Sequence, residues 1–139
     1  MRRSPAKRSA VRAIDTNVVV RFLTADDARQ AKAARAVIEA GDLFIATTVM
    51  LESEWVLRAG YGFSAGQIAA GLRGLGGLSG ITLEEPARIA QALDWMSEGM
   101  DFADALHLAA SNHCSAFVSF DRKLARRAKA MAEIPVETP

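Results

Sequence analysis

The chain has 139 residues, of which 50% are hydrophobic, and its 17 basic and 16 acidic side chains nearly cancel. This length and balance predict one globular domain and exclude bulk disorder, and the mean charge gives no sign of a nucleic-acid partner. No apolar run reaches the roughly 18 residues of a membrane helix, so we expect a cytoplasmic protein without membrane contact.

The chain begins with a basic segment. Residues 1–11 contain four basic side chains and no acid. We assign residues 1–11 to a basic N-terminal extension and residues 12–139 to the folded domain. Three explanations of the extension stay open: a disordered tail, a start site upstream of the true one, and a basic arm with a role of its own.

Strand and helix signals alternate along residues 12–139. An apolar strand ends at Ile14, and Asp15-Thr16-Asn17 reads as the turn after it. Ser64 and Pro86 each predict the start of a helix. The alternation predicts an α/β fold, a single domain with a mainly parallel central sheet of four or five strands and helices on both faces. The expected strands are 11–14, 43–46, 81–83, 116–119 and a last edge strand at 136, and the expected helices are about 28–40, 47–60, 64–77, 86–97, 101–113 and 122–131.

Carboxylates follow the strands of this pattern. Asp15 and Asp121 come directly after strands, and Glu52 lies one turn into the helix after the second strand. Asp104 opens a helix, and Asp101 lies on the same side one turn earlier. Ligands of parallel sheets bind at the carboxyl ends of the strands, so we expect these acids at one rim.

Two explanations of the acids compete. Any one of them is more simply a helix cap, which the helix dipole stabilises by about 0.3 to 1 kcal/mol. Converging carboxylates repel each other, however, and a divalent cation would neutralise them. One cysteine and two histidines cannot form a zinc-finger ligand set. Oxygen ligands select Mg²⁺ or Mn²⁺, and such an ion can activate water for phosphodiester hydrolysis.

Four short motifs occur in order between about residues 12 and 131. Each is weak alone, and the four in sequence are specific. They are Ile14-Asp15-Thr16-Asn17-Val18, Leu51-Glu52 followed by Trp55-Val56-Leu57, Asp101-Phe102-Ala103-Asp104-Ala105-Leu106, and Ser119-Phe120-Asp121. In these motifs the chain resembles the PIN domain family, and within it the VapC-type ribonuclease toxins of toxin-antitoxin pairs.

The resemblance implies a homodimer that cleaves single-stranded or loop RNA with Mg²⁺ or Mn²⁺, and a small antitoxin protein that blocks the site. By position, Asp15 and Asp104 would be the principal metal ligands. Glu52 and Asp121 would complete the catalytic quartet through water or a second ion, and Asp101 is a fifth candidate.

Other polar side chains near these acids are accessory candidates. Thr16 and Asn17 would orient the first aspartate or contact phosphate, and Ser119 would form a hydrogen bond at the same rim. An ordinary turn and an ordinary strand-end serine explain them equally well. Glu52 and Glu54 lie about 200° apart around a helix, so only one can face the site, and the family pattern favours Glu52.

The basic segment after Asp121 is a candidate RNA-binding surface. Arg122, Arg126 and Lys129 lie at i, i+4 and i+7, so they share one helix face. Such a face can bind phosphates without reading bases, and a purely solvated face stays open.

We therefore predict a metal-dependent endoribonuclease, the toxin of a toxin-antitoxin pair, that cleaves RNA with metal-activated water. One alternative is a degenerate PIN domain that only binds a partner, although none of the four acids is missing. The other is a different metal-dependent phosphoryl hydrolase. A dehalogenase-like phosphatase would need a second aspartate two positions after Asp15, where the chain has Asn17.

Overall fold

The computed structural model describes residues 10–139, so nearly all of the predicted extension lies outside the described residues. Seven α-helices and five short β-strands alternate in residues 10–139. No helix there has the length and apolar character needed to cross a bilayer. The strands are Arg12–Ala13 (β1), Leu43–Ile45 (β2), Ile81–Leu83 (β3), Phe117–Val118 (β4) and Val136–Glu137 (β5). The helices are Thr16–Thr24 (α1), Ala28–Ala40 (α2), Thr47–Trp55 (α3), Ala65–Gly76 (α4), Pro86–Ser97 (α5), Phe102–Ala110 (α6) and Arg122–Met131 (α7).

The strands pair in parallel, as the α/β fold class predicts. Arg12 lies opposite Leu43, and Leu43 lies opposite Ile81, which gives the order β1-β2-β3. β4 pairs with β5 in a separate two-stranded sheet. The predicted single sheet of four or five strands is therefore wrong for residues 10–139. Strands of two or three residues form few inter-strand hydrogen bonds, so each strand adds little to the stability of a larger sheet.

Local capping signals set most helix starts. The Ser64 hydroxyl accepts the Gln67 N–H, and the Gln67 side chain accepts the Ser64 N–H, which forms the capping box before α4. The expected turn at Asp15-Thr16-Asn17 is wrong, because Asp15 caps a helix that begins at Thr16. A π-helical turn, Val56–Gly60, continues α3.

Packing of α5 against α6 in the hydrophobic core determines the position of the first turn of α6. Helices α5 and α6 pack extensively against each other. Leu93 and Trp95 from α5 are buried together with Phe102 and Leu108 from α6. Full burial of such a side chain stabilises the fold by about 1.5–3 kcal/mol. The rigid α5–α6 pair therefore holds the segment that joins the two helices.

Two glycine turns align β2 with β3. Gly41 and Gly80 have φ of 73° and 84°, a region that glycine adopts without a steric penalty. The Leu43 N–H donates to the Gly80 carbonyl at 2.8 Å. A Cβ at Gly80 would lie 2.9 Å from the Gly41 Cα, so the two backbones pack directly on each other.

Gly80→Ala should therefore lower the free energy of unfolding, by about 2 kcal/mol or more, because it adds left-handed strain to a backbone clash. Gly74→Ala is the matched control, since a Cβ on this exposed position of α4 meets nothing within 4 Å. It should raise that free energy by about 0.5–1 kcal/mol. Urea unfolding measures the free energy of unfolding of both variants. Equal changes in the two would contradict the direct packing of the two glycine turns.

Candidate active site

A cavity of about 300 Å³ lies where α6 and α7 begin. Three carboxylates line this α6–α7 cavity, those of Asp101, Asp104 and Asp121. Lys123 and Arg127 from α7 line it as well. The cavity thus contains carboxylates from two helices and cations from one of them.

Helix capping fixes two of these acids. The Asp101 Oδ2 accepts the Asp104 N–H at 3.2 Å, and the Asp121 Oδ1 accepts the Leu124 N–H at 3.0 Å. The Ser119 hydroxyl accepts the Asp121 N–H at 3.0 Å, so this serine orients the turn before α7. Each cap uses one carboxylate oxygen, and the second oxygen keeps its capacity to accept a hydrogen bond or bind a cation.

Asp104 differs from its two neighbours because its side chain caps no helix. It is half-buried in the first turn of α6. Burial raises the pKa of Asp104, the charges of Asp101 and Asp121 raise it further, and His107 opposes them. Asp104 thus sits in an unfavourable field that a bound cation would relieve.

The other two predicted acids lie outside this cavity. Asp15 is exposed and caps α1, with its Oδ1 accepting the Thr16 N–H at 2.8 Å. Glu52 is exposed on α3, which packs against both α1 and α6. Among residues 10–139, no three His, Cys, Asp or Glu side chains are arranged to hold a metal ion. Asp15 and Glu52 are not among the residues that line this cavity, and the catalytic quartet and metal binding by Asp15 and Asp104 together stay predictions.

Two buried hydroxyls lie next to Asp15 and Glu52 in sequence. The Thr16 Oγ1 and the Ser53 Oγ have no hydrogen-bond partner in the part of the chain that the structure describes. A buried hydroxyl without a partner costs about 1–3 kcal/mol. Mg²⁺ needs only one or two carboxylates and keeps several waters, so the half-buried Asp104 carboxylate, which caps no helix, fits a hydrated ion. The Thr16 hydroxyl contacts no polar partner in residues 10–139, so its orienting role and its phosphate contact both stay predictions.

The remaining polar candidates differ in exposure and in hydrogen bonding. Asn17 is exposed and lines a groove between α1 and α2. Glu54 is buried, and its Oε2 accepts a hydrogen bond from the Arg58 Nε at 2.8 Å. This bond raises the pKa of Arg58, and the charge of Asp101 adds to the effect. Glu54 therefore holds a structural ion pair, whereas the Glu52 carboxylate is exposed.

Helix α7 presents two basic faces. Arg126 and Lys129 line a separate cavity beside β5. Lys123 and Arg127 lie about 100° around the helix from that face and line the α6–α7 cavity. Neither of these two cations was predicted as a site residue from the sequence, and neither was Gly99 at the same cavity. Their i, i+4 spacing, beginning two residues after Asp121, was the available signal.

Asp104→Asn should raise the free energy of unfolding at pH 7. The folded-state pKa of Asp104 lies above the ordinary value of 3.8, so ionisation of the folded protein carries a penalty. That penalty is complete above the folded-state pKa and disappears as pH falls below 3.8. Urea unfolding at several pH values should therefore show the advantage of the variant vanishing in acid.

Asp121→Ala is the contrasting variant, because it removes a helix cap and should cost about 1 kcal/mol at neutral pH. An Asp104→Asn protein that is less stable than wild type at pH 7 would contradict the electrostatic argument.

Comparison with known proteins agrees with this architecture. The model of the PIN domain matches residues 12–130, a range that runs from β1 into α7. No curated protein and no solved structure gives a match. PIN domains commonly have nuclease activity and typically use divalent metals. The matched range contains all four predicted catalytic acids, and the chain belongs to the PIN domain family.

Proposed function

We propose that this protein is a metal-dependent endoribonuclease and the toxin of a toxin-antitoxin pair. The observation that carries the proposal is the α6–α7 cavity, in which Asp104 is half-buried beside Asp101 and Asp121 without serving as a cap. The fold itself gains no helix cap from the Asp104 carboxylate. A catalytic role explains why it lies there.

Asp104 and Asp15 are the proposed metal ligands, and Glu52 and Asp121 act through water or a second ion. When bound, Mg²⁺ or Mn²⁺ polarises the phosphodiester and acidifies the attacking water. Asp101 is the accessory acid, and it fixes the first turn of α6 through the Asp104 N–H. The packing of α3 against α1 and α6 supports this assignment, because Glu52 is carried on the intervening helix.

We further propose that the protein acts in the cytoplasm as a homodimer and that a small antitoxin blocks the site. This part of the proposal rests on the resemblance to VapC-type toxins. Exposed apolar side chains support it, because Trp55 is 57% exposed and Phe120 is 79% exposed. Large aromatic groups at a protein surface are typical of contacts with partners or nucleic acid.

A binding-only PIN domain is the second candidate. Asp15, Asp101 and Asp121 all cap helices, and this gives each a structural reason to be present. A domain that had lost catalysis would keep such caps. Activity measurements separate the two candidates.

Wild-type protein should cleave labelled single-stranded RNA in Mg²⁺ or Mn²⁺, and EDTA should stop the reaction. Asp104→Asn and Asp15→Asn should each lower the rate by about 100-fold or more, because each removes an anionic ligand without changing the shape of the side chain. Induction in cells should arrest growth with wild type only.

Asp27→Asn is the matched control, since Asp27 caps α2 through the Gln30 N–H and asparagine caps equally well. This variant should cleave at the wild-type rate. Absence of RNA cleavage by pure wild type in Mn²⁺ would favour the binding-only candidate, and hydrolysis of small phosphomonoesters instead of RNA would favour a different phosphoryl hydrolase.

Mn²⁺ should raise the melting temperature of the wild type. A ligand that binds only the native state adds about 2.7 kcal/mol at 100 times its dissociation constant, which corresponds to roughly 9 °C for a domain of this size. The shift should be absent in the Asp15→Asn/Asp104→Asn double variant. Differential scanning fluorimetry measures both proteins, and an equal shift in the two would place the metal elsewhere.

A further inference from the structure

An arginine in the α6–α7 cavity has no ion-pair partner among residues 10–139. Arg127 is half-buried on α7 and lines this cavity with Asp101, Asp104 and Asp121. A guanidinium is always charged, and burial without a counter-ion is unfavourable. Within residues 10–139, the ion pairs involve other arginines, namely Arg21, Arg58, Arg73 and Arg88.

The position of Arg127 depends on Gly99. A Cβ at Gly99 would lie 3.3 Å from the Arg127 Cζ and closer still to its Nη1. The guanidinium therefore lies directly against the turn that joins α5 to α6. Gly99 has φ of 110°, a conformation that also favours glycine. The guanidinium thus lies beside the turn that leads directly into the Asp101 cap of α6.

Lys123 adds a second positive charge to the cavity. It lies one turn before Arg127 on α7, so both cations reach the same cavity from one helix face. Asp104 is the proposed metal ligand in this cavity, and the two cations suit an anion beside it. The planar guanidinium binds phosphate oxygens through two parallel N–H groups, which an ammonium group cannot do.

We propose that Arg127, held against Gly99, binds a non-bridging phosphate oxygen of the RNA at the cleavage position, and that Lys123 strengthens the attraction. This inference rests on the proposed ribonuclease function. Arg127 then positions the phosphodiester against the acids of the cavity. The contact is to phosphate alone, so it is independent of base sequence.

The test uses the full chain, Mn²⁺ and a short fluorescent single-stranded RNA. Arg127→Ala should lower both RNA affinity and kcat/KM by about 10- to 100-fold, the value of a lost charged hydrogen bond. Arg127→Lys should recover only part of the loss, because it keeps the charge without the paired N–H groups. Added guanidinium at millimolar concentration should partly restore Arg127→Ala.

Arg35→Ala is the matched control, because Arg35 is an exposed arginine on α2 and its loss changes the net charge equally. Affinity and kcat/KM should stay at the wild-type values. Circular dichroism and melting temperature verify that each variant is folded.

Three results would overturn the inference. Unchanged affinity and kcat/KM in Arg127→Ala would show that its charge only balances the acids. Full activity of Arg127→Lys would exclude the paired contact. An equal loss in the control variant Arg35→Ala, on α2, would indicate general charge attraction. RNA affinity tests Arg127 even if wild type fails to cleave, so failure of the ribonuclease proposal is distinguishable.

Discussion

The need to cap helix N-termini determines where three of the candidate site acids of this protein lie. The first N–H groups of a helix have no partner inside it, and Asp15, Asp101 and Asp121 supply carboxylate oxygens for α1, α6 and α7. Each of these acids retains a second oxygen for another contact. The fold therefore places negative charge at the helix starts as a condition of its own stability, and Asp104 is the acid added beyond that requirement.

Local signals made much of the fold predictable. The Ser64 capping box, Pro86 at the start of α5 and the glycine after α2 each act through neighbouring residues, so the sequence contains the whole interaction. The turn predicted at Asp15 failed because an Asx turn and a helix cap use the same side-chain geometry. Strand pairing is non-local, and two-residue strands carry too little pattern to fix the size of a sheet.

The acids of the candidate site were also predictable from the sequence, and its cations were not. Capping and strand-end positions identified the three acids near α6 and α7, since both are properties of local sequence. Lys123 and Arg127 were not predicted as site residues, because the charge pattern of a basic helix does not show which of its cations face a cavity. Leu124 and Ala128 are buried, and their packing turns the adjacent cations toward the cavity. The resemblance likewise could not supply the side-chain arrangement of Asp15 and Glu52, which depends on packing among three helices.

The contact between Gly99 and Arg127 links two positions that are distant in sequence. A larger residue at 99 would occupy the space of the guanidinium, so a chain that changes one position must shorten or move the other. Among related proteins, a side chain at the first position should therefore go with a different conformation of the arginine. A relative with a side chain at the first position would need a different way to place positive charge beside its acids.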